Sequence, residues 1–393
     1  MRNYWFVSQF FWPNENSTGH IITQIVDAFT KENNACIITV GHTNSEERNK
    51  NTHTIRINDN LFFDKNKIFQ RSIKLITLSI IMAVSLFKKV KKNDVVITVT
   101  NPAFVLVFLA CIRILKNYRL IVIVHDVFPE NLVVARIINR ENLLYKITNK
   151  IFNFAYRKGD LIIACGRDMQ KTIEMKIKGQ KKVIFIPNFG DNDILCPVEK
   201  KHNKLIKELQ LENKLVILFT GNLGRMQNID SLISTAEILK EDYSIVFLFI
   251  GEGVFADKIK DYSMHNKNVI YVSNMDMNDA YIFLNAGDIG ISSLLPDIMG
   301  VGVPSKTYSY MATGKPIIAF MDSDSEIAMM VQEEGNGWVV EPNNPNQLAI
   351  LLRQLRNDPM QIKKKGEISY NLSKTKYSIE SITNKYVEVI KSI

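Results

Sequence analysis

Val216-Ile217-Leu218-Phe219-Thr220-Gly221-Asn222-Leu223-Gly224-Arg225-Met226-Gln227-Asn228 is the stretch on which the fold of this chain turns. A short apolar, β-branched run ends at a Gly-x-x-Gly loop, and a helical pattern opens near Ile229. Strand, glycine loop and helix in that order make the first half of a βαβ unit. Ile250-Gly251-Glu252-Gly253 ends the next apolar run in the same way. Outward from there, strand candidates fall at 245–250, 269–272, 289–292, 316–319 and 337–340, with helical patterns between them. The first half repeats the alternation at 4–7, 36–40, 95–98, 120–124, 161–164 and 183–186. Two series of about six strands each imply two α/β, doubly wound, parallel-sheet domains. Pro187-Asn188-Phe189-Gly190-Asp191 closes the first series, and the polar run from Glu199 to Lys204 opens the second. The boundary is therefore expected between Asn188 and Lys204, with domains at 1–190 and 191–377. Ligands of open α/β sheets bind at the carboxyl ends of the strands, so two such domains facing each other would make a cleft.

The chain has 393 residues, of which 46% are hydrophobic and 23% charged. That composition excludes a disordered, collagenous or disulfide-stapled protein. Cys36, Cys111, Cys165 and Cys196 are far apart and form no Cys-x-x-Cys pair, which reads as reduced thiols in a cytoplasmic protein without a zinc site. The net charge of +9 is unevenly placed: residues 1–195 hold 28 Lys and Arg against 16 Asp and Glu, and the remainder is slightly acidic. An anionic partner for the first half follows: nucleic acid, anionic lipid or a phosphorylated substrate.

No signal-peptide pattern opens the chain. The apolar run 75–87 is short of the roughly 20 residues needed to span a bilayer. The run 95–112 holds Thr98, Thr100, Asn101 and Pro102, which read as a strand end and a turn before a helix. Basic stretches lie at 65–74, 88–92 and 136–158. The helix between the first two could lie in a headgroup plane or be a core helix with a solvated charged end. No nucleic-acid motif, His-Glu-x-x-His, EF-hand or Gly-x-Ser-x-Gly pattern occurs, and neither domain opens with Gly-x-Gly-x-x-Gly, which argues against a dehydrogenase.

Residues that could carry chemistry cluster after strands. Asn16, Ser17, Thr18 and Gly19 precede a helix; Gly19 either lets a phosphate approach the helix amides or serves a turn capped by Ser17 or Thr18. His125, Asp126 and Glu130 follow an apolar run and suit proton transfer or a grip on sugar hydroxyls. Asp126 could instead cap a helix. Gly221, Asn222, Gly224 and Arg225, with Gly251, Glu252 and Gly253, suit a diphosphate approached by backbone amides. Pro304 and Ser305 start a helix that ends at Gly314, and Lys306 and Thr307 sit in its first turn. A lysine there opposes the helix dipole unless an anion is bound.

These segments, with Asn101-Pro102, Cys165-Gly166-Arg167-Asp168-Met169, 186–190, Ala286-Gly287-Asp288 and 333–342, make the chain resemble a family 4 glycosyltransferase of the two-Rossmann-domain GT-B kind. Within that family it is most similar to sugar transferases of bacterial O-antigen and capsule gene clusters, including those called L-fucosamine transferases. The resemblance implies a nucleoside diphosphate sugar donor, UDP-linked, in the second domain, and a polyprenyl-diphosphate-linked glycan acceptor in the first. It also implies retention of anomeric configuration, no metal or other cofactor, and a last helix near 378–390 that returns to the first domain. Donor contacts would come from Gly19, Asn188, the two glycine loops, Pro304, Ser305, Thr307 and Glu326. Acceptor contacts would come from Asn16, Ser17 and Glu130, and His125, Asp126 and Lys306 would be catalytic. The protein would work at the inner face of the plasma membrane, held by its basic first domain. The family commonly has Arg and Lys where Asn222 and Gln227 stand, and a Glu-x7-Glu pair where Val301 and Ser309 stand; Lys306 and Arg225 would supply the missing positive charge. A nucleotide-sugar 2-epimerase and a non-catalytic scaffold of a glycan-assembly complex are the alternative readings.

Overall fold

The computed structural model describes residues 2–13, 16–41, 46–58, 68–134, 136–273 and 279–393. Asn14 and Glu15 of the first loop, and Lys65 and Lys67 of the basic stretch 65–74, lie outside them. The chain divides into two compact units. One comprises Met1–Pro187, Gly300–Val303 and Ile382–Ile393; the other comprises Asn188–Met299 and Pro304–Ser381.

The first unit runs β1 (Tyr4–Val7), α1 (Ser17–Thr30), β2 (Ala35–Val40), β3 (Thr52–Ile57), α2 (Ile68–Phe87), β4 (Val95–Val99), α3 (Val105–Lys116), β5 (Arg119–Val124), α4 (Glu130–Val134), α5 (Leu143–Lys158), β6 (Leu161–Ala164), α6 (Arg167–Ile177) and β7 (Lys182–Phe185). Its strands pair in parallel in the order β3-β2-β1-β4-β5-β6-β7. The central strands are almost wholly apolar, Thr98 of β4 being an exception, because both faces of a parallel sheet are covered. On one face Val7, Val96, Val122 and Ile162 meet the inner sides of α2, α3, α5 and α6. On the other, Phe6 packs edge-on against Phe29 of α1, ring centroids 5.7 Å apart. β3 is a seventh strand that the apolar-run criterion passes over. It reads Thr-His-Thr-Ile-Arg-Ile, and as an edge strand it has a neighbour on one side only.

The second unit runs α7 (Lys204–Glu208), β8 (Leu215–Thr220), α8 (Ile229–Ile238), β9 (Ile245–Ile250), α9 (Ala256–His265), β10 (Val269–Val272), α10 (Ala280–Leu284), β11 (Ile289–Ser293), α11 (Lys306–Ala312), β12 (Ile317–Phe320), α12 (Glu326–Glu334), β13 (Gly337–Val340), α13 (Pro345–Arg356) and α14 (Pro359–Lys374). Its parallel order is β10-β9-β8-β11-β12-β13. Ile217, Phe219, Phe247, Phe249, Ile291 and Phe320 belong to its core. The final helix α15 (Ile379–Lys391) contributes residues 382–393 to the first unit, where Lys391 pairs with Glu32 at 2.7 Å.

Both sheets reverse their strand order at one point, between β1 and β4 in the first and between β8 and β11 in the second. The crevice beyond the carboxyl ends at such a switch point is where this architecture binds ligands.

Candidate active site

The second switch point is built by loop 221–228 after β8, by residues 293–295 at the end of β11 and by the start of α11. The amide of Gly221 donates to the Ile250 carbonyl at 2.8 Å, and that of Leu223 to the Glu252 carbonyl at 2.8 Å. The two glycine loops therefore lie backbone against backbone. A Cβ at Gly251 would stand 2.1 Å from the Gly221 carbonyl oxygen, and one at Gly253 2.5 Å from that of Leu223. Only glycine fits there. Across the switch point, Ser293 Oγ donates to the Gln227 carbonyl at 2.5 Å and the Leu295 amide to the Met226 carbonyl at 2.9 Å. Among the described residues the amides of Asn222, Gly224 and Arg225 donate to no protein group. Gly221 and Asn222 are exposed, as is Arg225. This edge leaves three backbone N–H groups without a protein acceptor, an arrangement whose chemistry suits an anion.

Lys306 is the first residue of α11, as the Pro-Ser-Lys sequence implies. Its Nζ lies 3.3 Å from the Phe219 ring centroid, is buried, and has no hydrogen-bond partner among the described residues. Burial holds this amine well below the ordinary lysine range. One turn later Tyr310 fixes the helix to the sheet: its hydroxyl accepts from the Thr220 amide at 2.8 Å and lies 3.1 Å from Thr220 Oγ1. Its ring fills the space that a Cβ at Gly290 would take. Thr307 shares a 2.6 Å hydroxyl contact with Ser292. Thr307 is thereby engaged within the core, whereas Lys306 keeps its donors unfilled.

Gln227, in the same loop, and Asn188, where the second unit begins, each hold a buried side-chain oxygen without a partner. Pro304 is buried, and Ser305 occupies the cap position of α11 without a side-chain cap bond. Glu326 opens α12 and is buried; Glu252 is exposed. Val301 and Ser309, where the family commonly has glutamates, offer no carboxylate. Val301 lies in the first unit, its carbonyl accepting from the Val127 amide at 2.9 Å.

In the first unit, His125 and Asp126 follow β5, and both amides donate to Thr100 Oγ1 at 3.2 Å. Burial pushes the His125 imidazole down to about 4, and its Nε2 is buried without a partner. Burial pushes Asp126 up to about 6, against a hydrogen bond from Asn131. Asp126 also bridges Gly302, and the Gly300 amide donates to Asp168 at 3.0 Å. These contacts seat the segment Gly300–Val303, whose membership of the first unit no composition signal announces. Glu130 is engaged: one carboxylate oxygen meets Lys176 Nζ at 2.7 Å and Tyr145 at 3.2 Å. Lys176 also donates to Asn149 at 2.8 Å, so the buried pair ties α4, α5 and α6 together. The other Glu130 oxygen is buried and unpartnered.

At the start of α1 the cap is Asn16 and not Ser17 or Thr18: Asn16 Oδ1 accepts from the Gly19 amide at 2.9 Å. The side-chain acceptor already holds the N–H that a phosphate would need. Ser17 and Asn16 are exposed. Sequence reasoning missed Phe219, Tyr310 and Thr100. A ring inside an apolar strand carries no signal of the amine above it.

Among the described residues no three His, Cys, Asp or Glu side chains are grouped to hold a metal ion. None of the four cysteines is in a disulfide.

Residues 21–193 match the family model described as Glycosyltransferase Family 4, and residues 214–358 the one described as Glycosyl transferases group 1. The chain belongs to the family 4, group 1 glycosyltransferases. This glycosyltransferase is 29% identical over 356 residues to "Probable glycosyltransferase WbjE" of Pseudomonas aeruginosa, covering 89% of its own chain and 88% of the relative. It is 27% identical over 183 residues to the poly(ribitol-phosphate) alpha-N-acetylglucosaminyltransferase of Staphylococcus aureus, covering 44% and 35% of the two chains. Among solved structures, HepE of Anabaena in complex with UDP aligns over 100% of both chains with a TM-score of 0.73 and 14% identity. That likeness is one of fold, and the fold is GT-B: two Rossmann-like domains with parallel sheets.

Proposed function

We propose that this glycosyltransferase moves a hexose-type sugar from a UDP-linked donor, held by the second unit, to a lipid-linked glycan acceptor of bacterial O-antigen or capsule assembly. The observation that carries the donor half is the buried, unpartnered Lys306 amine beside a loop of free amides at the second switch point. A leaving diphosphate develops negative charge, and preorganised donors in a dry site stabilise it without reorganising. Lys306, Arg225 and the amides of Asn222 and Gly224 are that set. The UDP of the Anabaena structure supports the donor class, and the N-acetylglucosaminyl group in the Staphylococcus relative's name supports a hexose-type sugar. His125 and Asp126 orient the acceptor or sugar. The anomeric configuration is retained, as in the family at large. Since protein cations and dipoles take the charge, turnover is expected to survive chelation by EDTA; abolished turnover, restored by magnesium or manganese, would refute that part.

The test is to incubate the protein with UDP-sugars, with and without a polyprenyl-diphosphate-sugar, and to measure free UDP and lipid-linked product. Acceptor-dependent UDP release is expected. Conversion of the donor sugar without acceptor would make the protein an epimerase. Tight UDP binding with neither outcome would make it a scaffold.

A further inference from the structure

Helices α2, α3 and α5 lie side by side on one face of the first sheet, with α3 packed against both neighbours. Their inner sides are core: Leu78 and Met82, Leu106 and Leu109, Phe152 and Ala155 are buried. Their outer sides are apolar as well. On α5, Leu143, Leu144, Ile147, Ile151 and Phe154 recur at helical spacing and are exposed, Leu143 by 72% and Ile147 by 48%. Leu115 of α3 is 75% exposed, and Ile80, Val84 and Phe87 continue the strip on α2. A soluble helix layer ordinarily turns charge outward, so apolar positions on three adjacent helices mark a surface that is covered in use.

The charge pattern says by what. The three helices contain no Asp or Glu, while Arg113, Lys116, Lys146, Lys150 and Lys158 are among their cations. Arg113 is paired with Asp160, but the lysines border the strip. Lys116 Nζ lies 4.5 Å from the Phe87 ring centroid and Lys158 Nζ 5.4 Å from that of Phe154, with aliphatic stems along the apolar surface and charges at its rim. Lys88, Lys89, Lys91 and Lys92 follow α2 directly and are exposed. Aliphatic centre, cationic rim and no acid is the complement of an anionic bilayer: acyl chains take the first and phosphate headgroups the second. No described helix is long and apolar enough to cross a membrane, so the contact is with the surface.

We propose that the outer face of α2, α3 and α5, centred on α5, is a docking surface for an anionic phospholipid bilayer. It deepens the proposed lipid-linked acceptor reading, since such an acceptor is presented at a membrane. The sequence directs attention to 75–87; the structure shifts it to α5, whose exposed aliphatic side the composition of 136–158 conceals beneath its lysines.

The test is co-sedimentation of the full chain with vesicles of equal parts phosphatidylglycerol and phosphatidylcholine, against phosphatidylcholine alone. Binding to the anionic vesicles is expected, and Leu144→Ser with Ile147→Ser, or Lys146→Glu with Lys150→Glu, should each weaken it about tenfold or more. UDP affinity, measured on the same samples by calorimetry, should not move, which checks folding and separates this proposal from the donor reading. Protein left in the supernatant, equal binding to neutral vesicles, or variants that bind as the wild type would overturn it. So would a vesicle-free dimer that the same substitutions dissolve, because the strip would then be an interface between copies.

Discussion

Lys306 holds its amine against the Phe219 ring with no hydrogen-bond partner, so in the free protein the charged form is disfavoured. A diphosphate within reach would reverse that preference. UDP affinity should therefore fall as pH rises toward the ordinary lysine range, more steeply in the wild type than in Lys306→Met; equal slopes in a calorimetric pH series would contradict it. Lys306→Met should lower donor turnover about 100-fold or more, since the cation acts on developing charge. Its unfolding midpoint should hold or rise, because a buried unpaired amine is replaced by a side chain of similar length. In the first unit, the consecutive residues His125 and Asp126 give a second residue-scale expectation. His125, pushed down to about 4, costs stability as pH falls from its ordinary 6.5. Asp126, pushed up to about 6, costs stability as pH rises from its ordinary 3.8. Each is worth about 3 kcal/mol across its window and the two oppose each other. Asp126→Asn should leave a protein whose stability climbs with pH between 4 and 6.5, and His125→Gln one whose stability falls between 4 and 6. Thermal midpoints across that range check both, and parallel slopes would refute the burial account. His125 and Asp126 were legible in the sequence because they follow a strand, and Lys306 because it opens a helix after Pro304 and Ser305. Their burial was not, because it depends on rings and hydroxyls contributed by other strands.

At the scale of elements, the glycine loops are held by contact distance and α11 by the hydroxyls of Tyr310 and Thr307. Gly253→Ala would force a Cβ to 2.5 Å from the Leu223 carbonyl at φ +150, and should cost about 3 kcal/mol or more, with the full chain melting lower. Tyr310→Phe would strip the acceptor from the buried Thr220 amide, a loss of about 1–3 kcal/mol. An unchanged midpoint in either variant would show that the switch point can relax. The sequence announces α11 through Pro304, Ser305 and Gly314, and the start of α8 through the glycine loop, because turns and caps are local chemistry. It misses β3, whose alternating polar residues suit an edge, and it misplaces the cap of α1, where three adjacent polar residues could each have served.

For the whole molecule, two parallel sheets follow from the alternation of apolar runs with helical patterns, and the matched families span both. Strand order does not follow from the runs, since a parallel pairing joins residues far apart in sequence. Nor does the seating of Gly300–Val303 in the first unit, which rests on one carboxylate, Asp168, and on backbone bonds. Charge asymmetry was visible from composition, but only the structure separates the lysines that rim an apolar strip from those merely solvated. The central claim is that the donor's diphosphate lies at the second switch point. Crystals grown with UDP test it most directly: density for the two phosphates should lie against the amides of Asn222 and Gly224 within hydrogen-bond reach of Lys306 Nζ. Phosphate density elsewhere, with Lys306 still unpartnered above Phe219, would contradict it.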